Sequence, residues 1–455
     1  MFEDIGWKSS GPRVVREMVL VLFLVLYFSL TTTTQSLEEN IHNEFQGIHL
    51  TLHHVHGLNS STAFFDILAR DQVRVQALEY RLGGSITISK SSVSIPLNPG
   101  APIEIGNYYI KLGLGTPTKY YTMIFDTGSA LTWLQCQPCK IYCHPQIGPI
   151  FNPSSSSTYK FVPCDAPVCN DLESATLNAP SCTTSNICSY EATYGDGSYS
   201  IGYLNRDMLT FETGRGTKGL TFAEYIYGCG QDTQGLFGKS AGLVGMARNK
   251  LSMFSQLSSK YGMSMFSYCL PTSTSTGTFT IGPSASKTYV FTPMITDPRD
   301  PSLYFLRLTG ITVDGIPLKV SPLLYRTSTI IDSGTVITRL PIRVYEALQE
   351  AFVKNMISKR YKQAPSYSIL DTCFKANGKS MTLPEISIIF SGGARLKLGA
   401  DNIVIQVEDG IKCLAFASNG ATDGISIIGN RQQETSAVVY DVTNSRIGFA
   451  ARGCN

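Results

Sequence analysis

Two copies of one short motif carry the residues that could do chemistry. The first is Ile124–Ser129, with the sequence IFDTGS, and the second is Ile330–Thr335, with the sequence IIDSGT. A single apolar strand that runs into Asp, a hydroxyl residue and Gly is also how ordinary β-turns begin. The repetition is the stronger signal, since two carboxylates brought into one site would be able to do acid–base chemistry. Two such groups cannot both ionise at close range, so one would keep a proton while the other activates a water.

The elements that must position these motifs are strands. Short β-branched and aromatic runs separated by Gly, Pro, Ser and Asn recur through the chain, whereas long helical periodicity is nearly absent outside one early segment. A second repeated element follows each Asp, at Gly242–Gly245 (GLVG) and at 427–429 (IIG). With 455 residues, 43% of them hydrophobic and 16% charged, the chain can fill two sizeable cores. We therefore predict an all-β fold with a few short helices, built by duplication.

The paired motifs and the hydrophobic-hydrophobic-Gly elements resemble the active-site loops of pepsin-type aspartic peptidases and the segments that support those loops. The resemblance implies a bilobal acid protease fold with pseudo-two-fold lobes and a cleft between them. We place the N-terminal lobe at 94–295 and the C-terminal lobe at 296–455. The implied function is that of a secreted aspartic endopeptidase, made as a zymogen, that hydrolyses peptide bonds without a cofactor or metal.

The resemblance assigns roles residue by residue. Asp126 and Asp332 match the catalytic pair, with Asp332 favoured as the initial base and Asp126 as the acid. The residues expected to support the pair are Thr127, Gly128, Ser129, Ser333, Gly334 and Thr335. The mobile hairpin, or flap, that closes on substrate is expected at Tyr194, Gly195, Asp196 and Gly197, with Trp133 as the hydrogen-bond partner of Tyr194. Taken alone, a Gly-Asp-Gly stretch indicates only an exposed hairpin tip.

The first 93 residues read as segments that precede the enzyme. Residues 1–36 have basic residues, a 13-residue apolar core from Met18 to Leu30 and a polar exit, which is the layout of a signal peptide, although a retained signal anchor or a start at Met18 stays open. Residues 37–93 are predicted to be a prosegment. It holds an alternating strand around 48–52 and a helix from about Thr62 to Leu82 that ends at Gly83-Gly84. We expect this strand and helix to block the cleft.

Histidine placement argues against other hydrolase classes. Only His144 lies outside the predicted prosegment. A Ser/His or Cys/His catalytic site and a zinc site are therefore both poor interpretations of the chain. The other five are His42, His49, His53, His54 and His56. They are either solvated surface or, as a sharper hypothesis, imidazoles that gain charge in acid and weaken prosegment docking.

Twelve Cys residues after a predicted signal peptide indicate six disulfides in an oxidising compartment. Seven cluster in the region from Cys136 to Cys188, and this Cys-rich insertion resembles the nepenthesin-like branch of the aspartic peptidases. The resemblance implies the pairs Cys136–Cys139, Cys143–Cys229, Cys164–Cys188, Cys169–Cys182, Cys269–Cys454 and Cys373–Cys413. Sequence reasoning alone cannot choose among the possible pairings.

Charge and motif content leave a short set of alternatives. Without the predicted leader segments the chain has a net charge of about +5 with no basic run, so a nucleic-acid partner is not expected. A plastid DNA-associated protease and a non-catalytic binding or inhibitor protein on the same fold remain as alternatives. We expect polypeptide substrates, a monomer without a stable membrane span, and a secreted or vacuolar location.

Overall fold

The computed structural model describes residues 48–54, 64–83, 108–194, 197–212, 220–272, 275–282, 288–376, 381–450 and 454. The predictions for the signal peptide and for the flap residues Gly195 and Asp196 lie outside these residues. Within these ranges, no helix is long and apolar enough to cross a membrane.

Strands dominate the described chain, so the predicted fold class is confirmed. They are β1 (Ile48–His54), β2 (Tyr108–Leu114), β3 (Lys119–Asp126), β4 (Trp133–Gln135), β5 (Tyr142–Cys143), β6 (Lys160–Phe161), β7 (Ser181–Cys182), β8 (Cys188–Thr193), β9 (Tyr199–Phe211), β10 (Leu220–Gln234), β11 (Gly242–Gly245), β12 (Met265–Cys269), β13 (Thr276–Ile281), β14 (Val290–Pro293), β15 (Phe305–Leu306), β16 (Leu308–Val313), β17 (Ile316–Pro317), β18 (Thr329–Ile331), β19 (Thr338–Leu340), β20 (Gln363–Ala364), β21 (Cys373–Lys375), β22 (Ile386–Phe390), β23 (Arg395–Lys397), β24 (Val404–Glu408), β25 (Ile411–Leu414), β26 (Phe416–Ser418), β27 (Ser426–Ile428), β28 (Ala437–Asp441) and β29 (Arg446–Ala450). The α-helices are α1 (Phe64–Arg81), α2 (Pro167–Thr176), α3 (Met253–Tyr261), α4 (Ile342–Ser358), α5 (Ala400–Ile403) and α6 (Asn430–Gln433).

One sheet of 16 strands runs through both halves of the chain. Its main path is β14-β29-β28-β12-β13-β1-β2-β3-β11-β4-β10-β9-β8-β7, and β5 and β6 pair with β10 and β9 off this path. Three smaller sheets complete the second half, in the orders β15-β18-β27-β19-β26, β17-β16-β22-β23 and β20-β21-β25-β24. The strands that carry the two Asp motifs, β3 and β18, therefore lie inside sheets with a neighbour on each side.

The two elements of the predicted prosegment both form. Strand β1 lies between β13 and β2, with Ile48 opposite Ile281 and His53 opposite Tyr109. Its Ile48, Leu50 and Leu52 are buried, as the alternating pattern predicts. Helix α1 begins two residues after the predicted Thr62 and ends one residue before Leu82, and Gly83 follows with φ +75°. A glycine in that left-handed conformation is a common helix end.

The hydrophobic-hydrophobic-Gly elements lie behind the Asp motifs, as predicted. Strand β11 runs parallel to β3, so that Gly245 is opposite Asp126, and antiparallel to β4. Strand β27 runs parallel to β18 in the same way. Glycine is required in β11 because a Cβ on Gly242 would lie 2.0 Å from the carbonyl oxygen of Trp133. Strands β3, β11 and β4 are therefore closely packed under the first Asp motif.

Gly242→Ala is expected to lower the midpoint of thermal unfolding by about 5 °C or more, because the added methyl forces β11 away from β4. The measurement is a thermal scan of the purified protein beside Gly310→Ala. Gly310 is also in a strand, but nothing lies within 4 Å of its built Cβ. Equal midpoints for the two variants would contradict this account of β11.

Six disulfides form, and four of them correct the predicted pairing. The pairs are Cys136–Cys229, Cys139–Cys143, Cys164–Cys182, Cys169–Cys188, Cys269–Cys454 and Cys373–Cys413. Only the last two are the pairs that the resemblance implies. The predictions Cys136–Cys139, Cys143–Cys229, Cys164–Cys188 and Cys169–Cys182 are therefore wrong.

Strand register and burial explain the four corrected pairs. The parallel register of β4 and β10 brings Cys136 beside Cys229, and the N–H of Cys136 donates to the carbonyl of Gly230 at 2.9 Å. Cys139 and Cys143 are left together in the next loop. In the β7–β8 hairpin, Cys182 and Cys188 are directly opposite. The buried Cys188 shares a core cluster with Cys169, whereas the exposed Cys182 joins Cys164.

Candidate active site

The two Asp motifs meet at the ends of their strands. Asp126 is the last residue of β3, and Asp332 directly follows β18. The exposed fraction is 1% for Asp126 and 0% for Asp332. Apolar β-branched and aromatic residues bury each strand in the core, so the Asp at its end is buried as well. Neither Asp has a charged residue beside it in sequence. A buried carboxylate must be hydrogen-bonded or paired to stay ionised.

Each carboxylate is held by its own loop in the same way. The N–H of Gly128 donates to Asp126 Oδ1 at 3.0 Å, and the N–H of Gly334 donates to Asp332 Oδ1 at 3.0 Å. Two hydroxyls donate to the other oxygens, from Ser129 Oγ to Asp126 Oδ2 and from Thr335 Oγ1 to Asp332 Oδ2 at 2.7 Å. The Oδ1 and Oδ2 atoms of both carboxylates are thus fixed by matching donors.

The two loops brace each other through their second residues. The N–H of Thr127 donates to Ser333 Oγ at 3.1 Å, and the N–H of Ser333 donates to Thr127 Oγ1 at 2.9 Å. Both side chains are fully buried. The exchange is reciprocal, so a shift of one loop breaks hydrogen bonds of the other. Serine in place of threonine in the second loop keeps this arrangement because only the hydroxyl is used.

A second layer behind Asp332 was not predicted from the sequence. Gln433 Nε2 donates to the carbonyl oxygens of Asp332 at 3.2 Å and of Ile428 at 2.8 Å. Tyr268 hydrogen-bonds the Gln433 side chain and also Tyr440, with 2.8 Å between the two phenolic oxygens. These residues come from distant strands and a short helix, and they carry no local motif. The signal that could have found them is the polar pair Gln432-Gln433, which begins three residues after the Gly of a hydrophobic-hydrophobic-Gly element.

The flap contact that the resemblance implies is present. Trp133 Nε1 donates to Tyr194 Oη at 2.7 Å. Beneath this contact, apolar side chains that include Leu131, Phe237 and Leu243 line a cavity that opens onto Asp126. A buried apolar pocket beside a fixed polar pair is the usual form of a small-molecule or peptide site.

Helix α1 lies across both carboxylates and places Arg74 on them. Arg74 Nη2 donates to Asp126 Oδ1 at 2.8 Å and to Asp332 Oδ1 at 3.2 Å, while Nε donates to Asp332 Oδ2 at 3.0 Å and Nη1 to Asp126 Oδ2 at 3.3 Å. One guanidinium therefore contacts all four carboxylate oxygens. Burial opposes ionisation of Asp332, but Arg74 and the hydrogen bonds from Thr335 and Gly334 hold the pKa of Asp332 below its ordinary value.

Apolar packing fixes the helix to the second half of the chain. Ile67 and Leu68 join a core cluster that contains Val336 and Ile337. About two turns further on, Val75 and Leu78, together with Leu82 just after the helix, join a cluster around Phe305 and Ile330. Each fully buried Leu or Val side chain contributes about 1.5–3 kcal/mol. At the end of the helix, Arg81 pairs with Asp300 at 2.5 Å. The apolar packing of α1 therefore holds Arg74 in position on the two Asp residues.

Possible metal ligands do not cluster in the part of the chain that the structure describes. Across the described ranges, no group of three or more His, Cys, Asp or Glu side chains is placed to hold a metal ion, and each described Cys is in a disulfide. His144 is buried, with Nε2 2.9 Å from the carbonyl oxygen of Ser240, and burial lowers its pKa. It lies in the Cys-rich region and does not contact either Asp.

Family models match both halves of the chain. A family model described as Xylanase inhibitor N-terminal matches residues 108–283, and one described as Xylanase inhibitor C-terminal matches residues 303–451. Basic 7S globulin from soybean, a solved structure, has a TM-score of 0.61 and 22% identity over 76% of this chain and 93% of that chain. At that identity the similarity concerns the fold alone.

Curated relatives have higher sequence identity to this chain than that solved structure does. Aspartyl protease AED1 of Arabidopsis thaliana is 40% identical over 464 residues, which cover 100% of this chain and 96% of the relative. Aspartic proteinase nepenthesin-2 of Nepenthes gracilis is 37% identical and covers 80% of this chain and 81% of the relative. On this identity and coverage, the chain belongs to the aspartyl protease family that includes AED1 and the nepenthesins.

Proposed function

We propose that this chain is an aspartic endopeptidase, made as an inactive precursor, that hydrolyses peptide bonds with a water activated by Asp126 and Asp332. The observation that supports this most is the convergence of the two carboxylates, each held by a Gly N–H and a hydroxyl, at the edge of an apolar cavity. A protein that used the fold only for binding would have no need of two matched, buried carboxylates.

The chemistry uses these groups alone. The ionised carboxylate, which we assign to Asp332, accepts a proton from the water as its oxygen attacks the peptide carbonyl carbon. The protonated Asp126 donates a hydrogen bond to the oxyanion that develops. As the C–N bond breaks, the leaving nitrogen takes one proton from the carboxyl pair, which now holds the proton removed from the water as well as its own, so the pair returns to its singly protonated state. The hydroxyls of Ser129 and Thr335 keep both carboxylates oriented throughout. No covalent enzyme intermediate is required.

In the same proposal, residues 37–93 are the prosegment and block the cleft in the precursor. Arg74 occupies the positions on both carboxylates that a water and a substrate carbonyl would need. The substrates are polypeptides, and the enzyme is secreted or vacuolar and monomeric. Removal of α1 is then the activating event.

The test is cleavage of an unfolded protein by the secreted, processed chain at about pH 3–6, with and without pepstatin. The proposal predicts cleavage in acid that pepstatin abolishes. If the processed chain shows no cleavage, although loss of the prosegment is confirmed by mass, a binding or inhibitor role on this fold would replace the peptidase.

Tyr194→Phe is expected to lower kcat/KM for peptide substrates about five- to a hundredfold. The change leaves the buried Trp133 Nε1 without its acceptor at 2.7 Å, and an unsatisfied buried donor costs about 1–3 kcal/mol. The flap would then close on substrate less often. Trp133→Phe removes the donor instead, but it also leaves a cavity because Trp133 is fully buried, so its thermal stability is measured beside its kinetics. Wild-type kinetics in Tyr194→Phe would show that this contact does not serve catalysis.

His53→Gln is expected to lower the pH at which half of the precursor converts to the processed form. Burial, and then the nearby Lys111, lower the pKa of His53, which stacks on Tyr109. A lowered pKa means that the docked strand favours the neutral imidazole. Docking therefore weakens as pH falls below the ordinary pKa that the imidazole has in the undocked segment. Gln removes this contribution. His49→Gln, on the same strand and 2.9 Å from Thr280 Oγ1, is the comparison, and equal midpoints for the two variants and the wild type would remove the hypothesis.

A further inference from the structure

A buried guanidinium lies beside the second Asp loop, four residues after Thr335. Arg339 is on β19 and has an exposed fraction of 0%. Its Nη1 donates to the carbonyl of Ile337 at 2.9 Å, which fixes the side chain against its own strand. An Arg side chain keeps its charge in proteins, so this position must be supplied with an anion.

In the precursor that anion is Asp71, which lies on α1. Arg339 Nη2 is 2.9 Å from Asp71 Oδ2, and neither side chain is exposed. The same carboxylate accepts hydrogen bonds from the N–H of Val336 at 2.5 Å and from the N–H of Ile337 at 3.1 Å. Two adjacent backbone donors and one guanidinium therefore form a complete carboxylate-binding site. All three donors belong to the segment that continues directly from the catalytic loop.

Within the described ranges, the two acidic groups whose charges stabilise the Arg339 cation both come from α1. These groups are Asp71, in direct contact, and Glu79, through its charge. Arg339 Nε has no hydrogen-bond partner there, so the guanidinium still has a donor to offer. When α1 leaves, the two backbone donors and the guanidinium lose their carboxylate together. A ligand that enters the cleft is then the group that can replace it.

We propose that Arg339 and the N–H groups of Val336 and Ile337 form a subsite that binds the side-chain carboxylate of an acidic substrate residue, Asp above all. This inference rests on the proposed peptidase function. In α1, Asp71 precedes the dyad-bound Arg74 by three residues, about 4.5 Å along the axis. An extended substrate advances about 3.3 Å per residue. For a substrate that runs along the line of α1, the acidic residue is then one or two positions from the cleaved bond.

The test uses matched peptides that carry one Asp, moved through the three positions on each side of a single cleavable bond, with Asn as the uncharged isostere at each position. At about pH 5, where a free Asp is ionised, the wild-type processed enzyme should prefer Asp about ten- to a hundredfold in kcat/KM at one position within two residues of the bond. That range corresponds to one charge-assisted hydrogen-bond set. At pH 3 the preference should shrink because the substrate carboxyl takes up a proton.

Two variants tie the preference to the subsite. Arg339→Gln should bring the Asp-to-Asn ratio close to one, and Arg339→Lys should leave an intermediate ratio because Lys keeps the charge without the planar guanidinium. The wild-type peptide series decides the question even if a variant does not fold. Efficient cleavage with equal rates for Asp and Asn at all six positions would overturn the subsite while leaving the peptidase intact. If no peptide is cleaved at all, the proposed function fails first.

Discussion

The precursor with Arg74→Gln is expected to cleave a short peptide at least about a hundredfold faster than the wild-type precursor before any processing. Arg74 makes hydrogen bonds to all four oxygens of Asp126 and Asp332, and it is 21% exposed while both carboxylates are buried. Losing one partner of such a buried pair costs about 3–5 kcal/mol. Gln cannot replace a planar charged group that spans both carboxylates. The measurement is the initial rate of peptide cleavage, taken before the precursor is converted.

Two variants separate the Asp contact from general loss of helix charge. Arg81→Gln also removes a positive charge from α1, but Arg81 pairs with Asp300 and lies at the far end of the helix. It is expected to change the rate about tenfold at most. Arg74→Lys should be intermediate because an ammonium is a point charge. A fully inactive Arg74→Gln precursor would contradict the inhibitory role of Arg74.

The same contact gives the inhibition a dependence on pH whose sign can be worked out. Arg74 holds the pKa of Asp332 down in the docked state despite burial, so its contribution is complete above the pKa of the released Asp pair and is lost as pH falls through the docked value. Asp71 acts in the opposite direction, because burial raises its pKa against the effect of Arg339. Arg74→Gln should therefore remove the acid-released part of the inhibition and flatten its pH profile.

The hydrogen bonds around each Asp follow from the sequence motifs because their geometry is local. In each Asp loop, the Gly N–H and the hydroxyl that hold the carboxylate lie within three residues of it, so their placement follows from one turn of chain. The buttressing strands were found because they repeat in both halves. The helix was placed to within two residues by its helical periodicity and by the glycines that follow it.

What could not be predicted depends on contacts between distant segments. Arg74 looks like any polar residue on a helix, and its role follows only once α1 is packed against Val336, Ile337 and Phe305. Asp71 was hidden for the same reason. The disulfide pairing depends on which sulfurs the strand register and the core bring together, and four of the six pairs assigned by resemblance were wrong.

Asp126→Asn and Asp332→Asn are each expected to lower peptide hydrolysis by the processed chain at least about 10³-fold. Asn has nearly the same shape, its oxygen can accept from the Gly N–H, and its amide N–H can donate to the neighbouring hydroxyl oxygen, so the loops should keep their form. It can neither accept the proton of the attacking water nor share a proton with its partner, and general acid–base catalysis alone is worth about 10²–10⁴-fold. Because the two carboxylates act as one unit, the double variant should be little worse than either single variant.

The most direct test of the central claim is therefore cleavage of one peptide at pH 3–6 by the wild type and these two variants. A site for an unrelated protease, inserted between residues 84 and 93, would allow each precursor to be processed without help from its own activity. Asp409→Asn, at an exposed turn after β24, is the matched control and should behave like the wild type. The account predicts pepstatin-sensitive acid cleavage in the wild type and the control, and none above background in either Asp variant. Cleavage at a wild-type rate by Asp126→Asn or Asp332→Asn would contradict it.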